Sequence, residues 1–155
     1  MMYLQARGSR SKKENLYEVI ADRIEGMILD NRLHPAATAK VALRITAGQI
    51  AQLESLIDKM VESESNYIAR ADYDLRFHRQ IIEYAGNPLL TCVYELVTDL
   101  LKPILEHGLL TKKSGHLDGI MWHKRIVDNL HQGDDKLAEA NMRQHLEVSK
   151  VMCRE

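Results

Sequence analysis

Few residues in this 155-residue chain break helices: 3 Pro and 8 Gly in all. Alternating runs rich in Val, Ile and Thr are absent, which leaves no candidate for a half-buried strand. No stretch approaches the roughly 18 uninterrupted apolar residues of a membrane span, and no apolar core of a signal peptide appears. The two cysteines, Cys92 and Cys153, make neither a metal-type pair nor a disulfide framework. Charge of one sign is missing too. A formal net charge of −1 and a sequence pI near 6.7 give no global field for nucleic acid or an anionic membrane. No repeat or low-complexity segment is present. From these absences the expectation is a cytoplasmic protein with no membrane partner.

What is present is apolar patterning of helical period along nearly the whole chain. Hydrophobic residues are 45% and charged residues 28%, a composition suited to one globular domain with a real core. The expected fold is all-α, an antiparallel bundle of six to seven helices. Residues 1–13 are basic and polar with Gly and Ser, and are expected to be a flexible tail. Residues 14–36 hold a first helix, with Leu16, Val19, Ile20, Ile24, Met27 and Ile28 at spacings of three and four, ended by Pro35. Residues 37–155 hold the bundle. A short helix is expected over Ala37–Arg44, and Thr46 with Gln49 forms a capping box for the next, which runs to about Glu64. A further helix fills Tyr67–Tyr84. Gly86 suits its C-terminal cap, Asn87 the next N-cap and Pro88 the first position of the following helix. That helix is expected to reach His107 with a bend near Pro103, and residues 108–117 to form a loop. A helix over Leu117–His131 ends before Gly133, and Asp134 caps the last one, which runs to about Val151.

The chemistry concentrates on Tyr67–Tyr84. Asp74 and His78 lie one turn apart, on the face that also carries Ala71, Leu75, Ile81 and Ile82. An acid and an imidazole directed inward need compensation. Two further histidines have the same disposition. His123 lies between Ile120 and Val127, and His145 shares a face with Ala138, Met142, Val148 and Met152. A lone histidine on an apolar face is more often a satisfied core residue than a ligand. Three such imidazoles on three helices, with a carboxylate beside one of them, also suit the shell of a divalent transition metal. Spacing alone leaves both readings open. The other histidines, His34, His107, His116 and His131, fall near helix ends or loops and are expected to be solvated.

The motif Asp74-Leu-Arg-Phe-His78, followed by Ala85-Gly-Asn-Pro-Leu-Leu, resembles the signature of the FCD domain. That is the effector-sensing domain of FadR-like GntR transcription regulators. The segment from His123-Lys-Arg-Ile through Gly133-Asp134 and Ala138 to Met142-Arg-Gln-His145-Leu146 resembles the closing motif of the same family. Ala42-Leu-Arg-Ile-Thr46 is similar to its usual lead-in, so the resemblance covers about Thr38 to Lys150. It implies a helical bundle with a metal at its centre, held by Asp74, His78, His123 and His145. Zinc or nickel fits that shell best, with manganese or iron as alternatives. It also implies a small carboxylate effector, a homodimer, and DNA contact only through an N-terminal winged helix. No recognition-helix motif of that winged helix is recognisable here. Leu16–Pro35 nevertheless resembles its first helix, so this segment is either a winged-helix remnant or the first FCD helix. Arg32 is the nearest candidate for an effector-binding arginine. The expected function is metal-dependent sensing without enzymatic activity; the alternative is a metalloenzyme whose Asp/His3 site activates water.

Overall fold

In the computed structural model, the described residues are 33–111 and 116–154. The expected tail over residues 1–13, the helix over residues 14–31 and Arg32 lie outside them. Among the described residues the chain forms six helices and no strand. They are α1 (Leu33–Ala42), α2 (Ala47–Glu62), α3 (Tyr67–Tyr84), α4 (Pro88–Thr111), α5 (His116–Gln132) and α6 (Asp135–Arg154). The all-α bundle read from the periodicity is the architecture found.

Short polar signals at the helix ends determine where each helix starts and stops. The Thr46 side chain accepts from the Gln49 backbone N–H at 3.2 Å, and the Gln49 side chain accepts from the Thr46 N–H at 3.0 Å. This capping box satisfies two donors that the first turn of α2 leaves without partners. Asn66 caps α3 through Ala69 N–H, and Asp134 caps α6 through Leu137 N–H. Asn87 accepts from Leu90 N–H at the start of α4, where Pro88 occupies the first position. Gly86 ends α3 with φ +65°, in the left-handed region where a side chain is disfavoured.

Two boundaries differ from the expectation. α1 begins at Leu33 and not at Ala37, so Pro35 sits in its first turn. The first N–H groups of a helix have no partner within it, so a proline there costs no hydrogen bond. α4 continues through Pro103 and Gly108 to Thr111, which removes most of the loop expected over residues 108–117. One glycine without capping residues beside it weakens a helix but does not end it.

α3 lies at the centre of the packing. It contacts α1, α2 and α4, while α1 also packs on α5 and α6, and α2 on α5. Its inward face carries Ala71, Phe77, Ile81 and Ile82. Around these lie Ile50, Leu53, Ile57 and Met60 of α2, Ile126, Val127 and Leu130 of α5, and Ala138, Met142 and Leu146 of α6. The outward face of α3 is laced by ion pairs, Arg76 with Asp72 at 2.7 Å and Arg79 with Glu83 at 2.9 Å. Exposed pairs of this kind contribute at most about 1 kcal/mol each. The buried apolar face therefore dominates, and it orients α3 so that Asp74 and His78 turn toward α5 and α6.

The turn after α3 gives a direct check. A Cβ on Gly86 would come within 2.8 Å of Arg44 Nη2, the atom that donates to the Tyr84 carbonyl at 2.7 Å. Gly86→Ala should lower unfolding stability by about 1–2 kcal/mol, the cost of a left-handed backbone with a side chain. Urea denaturation measures this, and an unchanged midpoint would contradict the turn described here.

Candidate metal centre

Four side chains expected to act together do converge. Asp74 and His78 come from successive turns of α3, His123 from α5 and His145 from α6. The His78 and His145 Nε2 atoms are 3.1 Å apart, those of His123 and His145 3.1 Å, and those of His123 and His78 3.4 Å. Asp74 Oδ1 lies 3.2 Å from His123 Nε2. One donor atom from each residue lies within 4.8 Å of all the others. The three histidines are 6%, 1% and 4% exposed, whereas the Asp74 side chain is 36% exposed. The cluster is closed by protein around the imidazoles and reaches solvent at the carboxylate.

Packing holds the rings in place. Phe77 lies against His123, ring centroids 4.5 Å apart, and meets the His78 ring edge-on. The His78 and His145 rings stack with an interplanar angle of 8°. Burial, and then the neighbouring imidazoles, hold His78 and His123 well below the usual histidine range. Burial, then His34, lowers His145 to about 4. These rings are neutral at pH 7, the form that binds metal. Burial raises the Asp74 carboxyl to about 7. The exposed third of the side chain screens part of that shift.

The donor set can be tested against the ion that the resemblance implies. Ligand nitrogens about 2.0–2.1 Å from one ion stand roughly 3.0–3.4 Å apart in octahedral to tetrahedral shells. The three Nε2 separations are those of such a shell. Hydrogen bonds among the rings would depend on which nitrogen of each carries its proton, whereas a metal shell takes all three as lone pairs. A neutral imidazole has one donor and one acceptor. The His78 Nδ1 is 3.1 Å from His34 Nε2, and in the tautomer where His78 donates in that contact its own Nε2 is a bare lone pair. That lone pair then faces two other nitrogens, His145 Nε2 at 3.1 Å and His123 Nε2 at 3.4 Å. A cation between the three nitrogens satisfies all of them, so the residues present fit a divalent metal.

His34 corrects the sequence reading. Expected in solvent, it is 3% exposed, and its ring meets His78 edge-on at a centroid distance of 5.0 Å. The signal was available, since His34, Ala37, Thr38 and Val41 mark one buried stripe of α1. It was hidden by treating Pro35 as a terminator. His131 is exposed as expected; the side chains of His107 and His116, like Arg32, lie outside the described residues. Tyr94 of α4 was also not foreseen. It is buried beside His34, ring centroids 5.9 Å apart, and its hydroxyl points to the Leu75 carbonyl at 3.4 Å. Its phenol is pushed upward by burial and then by the nearby Asp74.

Comparison with known proteins adds an independent line. The chain is 24% identical over 109 residues to the galactonate operon transcriptional repressor of Escherichia coli K12. That match covers 70% of this chain and 48% of the repressor, so the chain spans about half the length of this curated relative. The solved structure of Streptococcus agalactiae GntR superposes with a TM-score of 0.68 at 20% identity, over 84% of this chain and 59% of that one. E. coli McbR/YncC superposes with a TM-score of 0.74 at 14% identity, over 86% and 63%. Identities this low establish a shared fold. The FCD domain family matches residues 31–148, well over half of the sequence and a span that contains all four clustered residues. The chain belongs to the FCD domain family.

Proposed function

We propose that this chain is the effector-sensing part of a GntR-type transcription regulator, and that its sensing site is built on a metal. Asp74, His78, His123 and His145 hold one divalent transition ion, zinc or nickel in preference to manganese or iron. The observation that carries this reading is the convergence of three imidazole Nε2 atoms at 3.1–3.4 Å with the Asp74 carboxylate beside them. Bound there, such an ion would supply a positive charge and act as a Lewis acid toward an oxygen ligand.

The effector class follows from charge. A divalent ion held by one carboxylate and three neutral imidazoles keeps net positive charge, which favours an anionic guest. The solvent-reaching side at Asp74 is the natural approach for a small carboxylate metabolite. A sensor fits the surroundings better than a hydrolase does. The further carboxylates on α3 are engaged on its outward face, Asp72 by Arg76 and Lys102 and Glu83 by Arg79 and Gln80. We assign the chain to the cytoplasm and to a homodimer, with residues 37–155 and the first turn of α1 before them as the sensing bundle. DNA contact belongs to a winged helix of the kind such regulators carry, and Arg32 is a candidate contact to the effector.

Two outcomes test this. An ion that binds the folded site and hardly the unfolded chain stabilises by about 2.7 kcal/mol at a hundredfold excess over its Kd. For a domain of this size that corresponds to roughly 5–10 °C in melting temperature. A chelator should lower the melting temperature by such an amount, and His123→Ala should abolish the chelator's effect. Absence of any shift with zinc or nickel added would contradict the metal site. Second, calorimetric titration with a panel of small mono- and dicarboxylates should show binding to the metal-loaded protein that disappears after metal removal. Equal affinity with and without metal would contradict the proposed anchoring.

A further inference from the structure

His34 lies outside the four-residue cluster, yet it is buried against it. Its Nε2 is 3.1 Å from His78 Nδ1, and the two rings are perpendicular. Thr38 Oγ1 donates to the His34 carbonyl at 2.9 Å and holds the first turn of α1 around it. Leu33, Ile82, Leu90, Val93 and Tyr94 line a cavity of about 10 Å³ beside the ring. That is room for one water at most. His34 Nδ1 has no hydrogen-bond partner among the described residues. The contact to His78 is therefore the one polar tie of this imidazole within that set.

Resting on the metal reading above, we propose that His34 is a positioning residue for the centre: its Nε2 accepts the His78 Nδ1–H and so directs the His78 Nε2 lone pair at the metal. The chemistry leaves little choice of arrangement. His78 presents Nε2 to the other two imidazoles, so in its ligand form its single proton is on Nδ1. That N–H is buried, and His34 Nε2 is the acceptor within reach. The hydrogen bond sets the tautomer, fixes the ring plane and makes Nε2 a better donor to a cation. It also ties α1 to α3 through the centre. As packing alone the residue is unfavourable, because an aliphatic side chain would fill the same apolar surroundings without an unpaired nitrogen.

The test is zinc affinity, measured by competition with a chromophoric chelator, for the native chain, His34→Leu and His34→Gln. Loss of an outer hydrogen bond to a metal-binding histidine weakens affinity about 10–100-fold, and that is the loss expected for His34→Leu. The melting temperature of metal-free His34→Leu should be unchanged or higher, which separates positioning from packing. The Gln carbonyl oxygen stands close to where Nε2 was, so His34→Gln should recover most of the affinity. Zinc-loaded native protein provides a reading that needs no variant: nitrogen NMR should find His34 as the Nδ1–H tautomer, its Nε2 hydrogen-bonded to His78. Native protein that binds no zinc would remove the metal reading and this one with it. Zinc bound by native protein and equally tightly by His34→Leu would overturn the role of His34 alone. A Gln variant as weak as the Leu variant, or His34 found as the Nε2–H tautomer, would do the same.

Discussion

Three imidazole nitrogens facing one another in a water-poor interior are the constraint from which the remaining structure follows. Neutral rings with converging lone pairs repel, and burial blocks the usual remedy of protonation by holding the histidines far below their ordinary range. A cation at its centre would satisfy all three nitrogens at once. An ion supplied there would join α3, α5 and α6 at one point, and the His34 contact to His78 would extend that tie to α1. On the metal reading, folding and loading of the site would be parts of one equilibrium.

The rest of the bundle serves to hold those rings. Capping at Thr46, Asn66 and Asp134 sets the start of three helices, and Gly86 allows α3 to stop where α4 must begin. α3 is buried through Phe77, Ile81 and Ile82, and the same phase that buries them turns Asp74 and His78 inward. Phe77 serves both purposes, since its ring lies in the core and packs against His123. Among the described residues of the cluster, Asp74 is the one with substantial exposure, the side on which the proposed anionic guest would approach.

Much of this was legible in the sequence, and the part that was not has a physical reason. Asp74 and His78 were readable because a spacing of four puts two groups on one helix face, and His123 and His145 because each interrupts an otherwise apolar stripe. Thr46 with Gln49, and Gly86 followed by Asn87 and Pro88, are local chemistry and act wherever they occur. His34 was missed because proline signals two opposite things. It ends a helix from within, yet it is tolerated in a first turn, and only the packing of α1 decides between the two. The end of α4 was missed for a similar reason, since Gly108 alone does not stop a helix that its neighbours support. Geometry among the rings was never in the sequence at all; spacing left a structural histidine core and a metal shell equally open, and the 3.1–3.4 Å separations favour the shell.

Elemental analysis combined with X-ray absorption on protein purified without chelators addresses the central claim most directly. This account predicts one divalent transition ion per chain, with nitrogen and oxygen neighbours at about 2.0–2.1 Å and the outer scattering of coordinated imidazole rings. Protein without stoichiometric metal that also fails to take up added zinc or nickel would contradict it, as would an ion whose spectrum shows no imidazole.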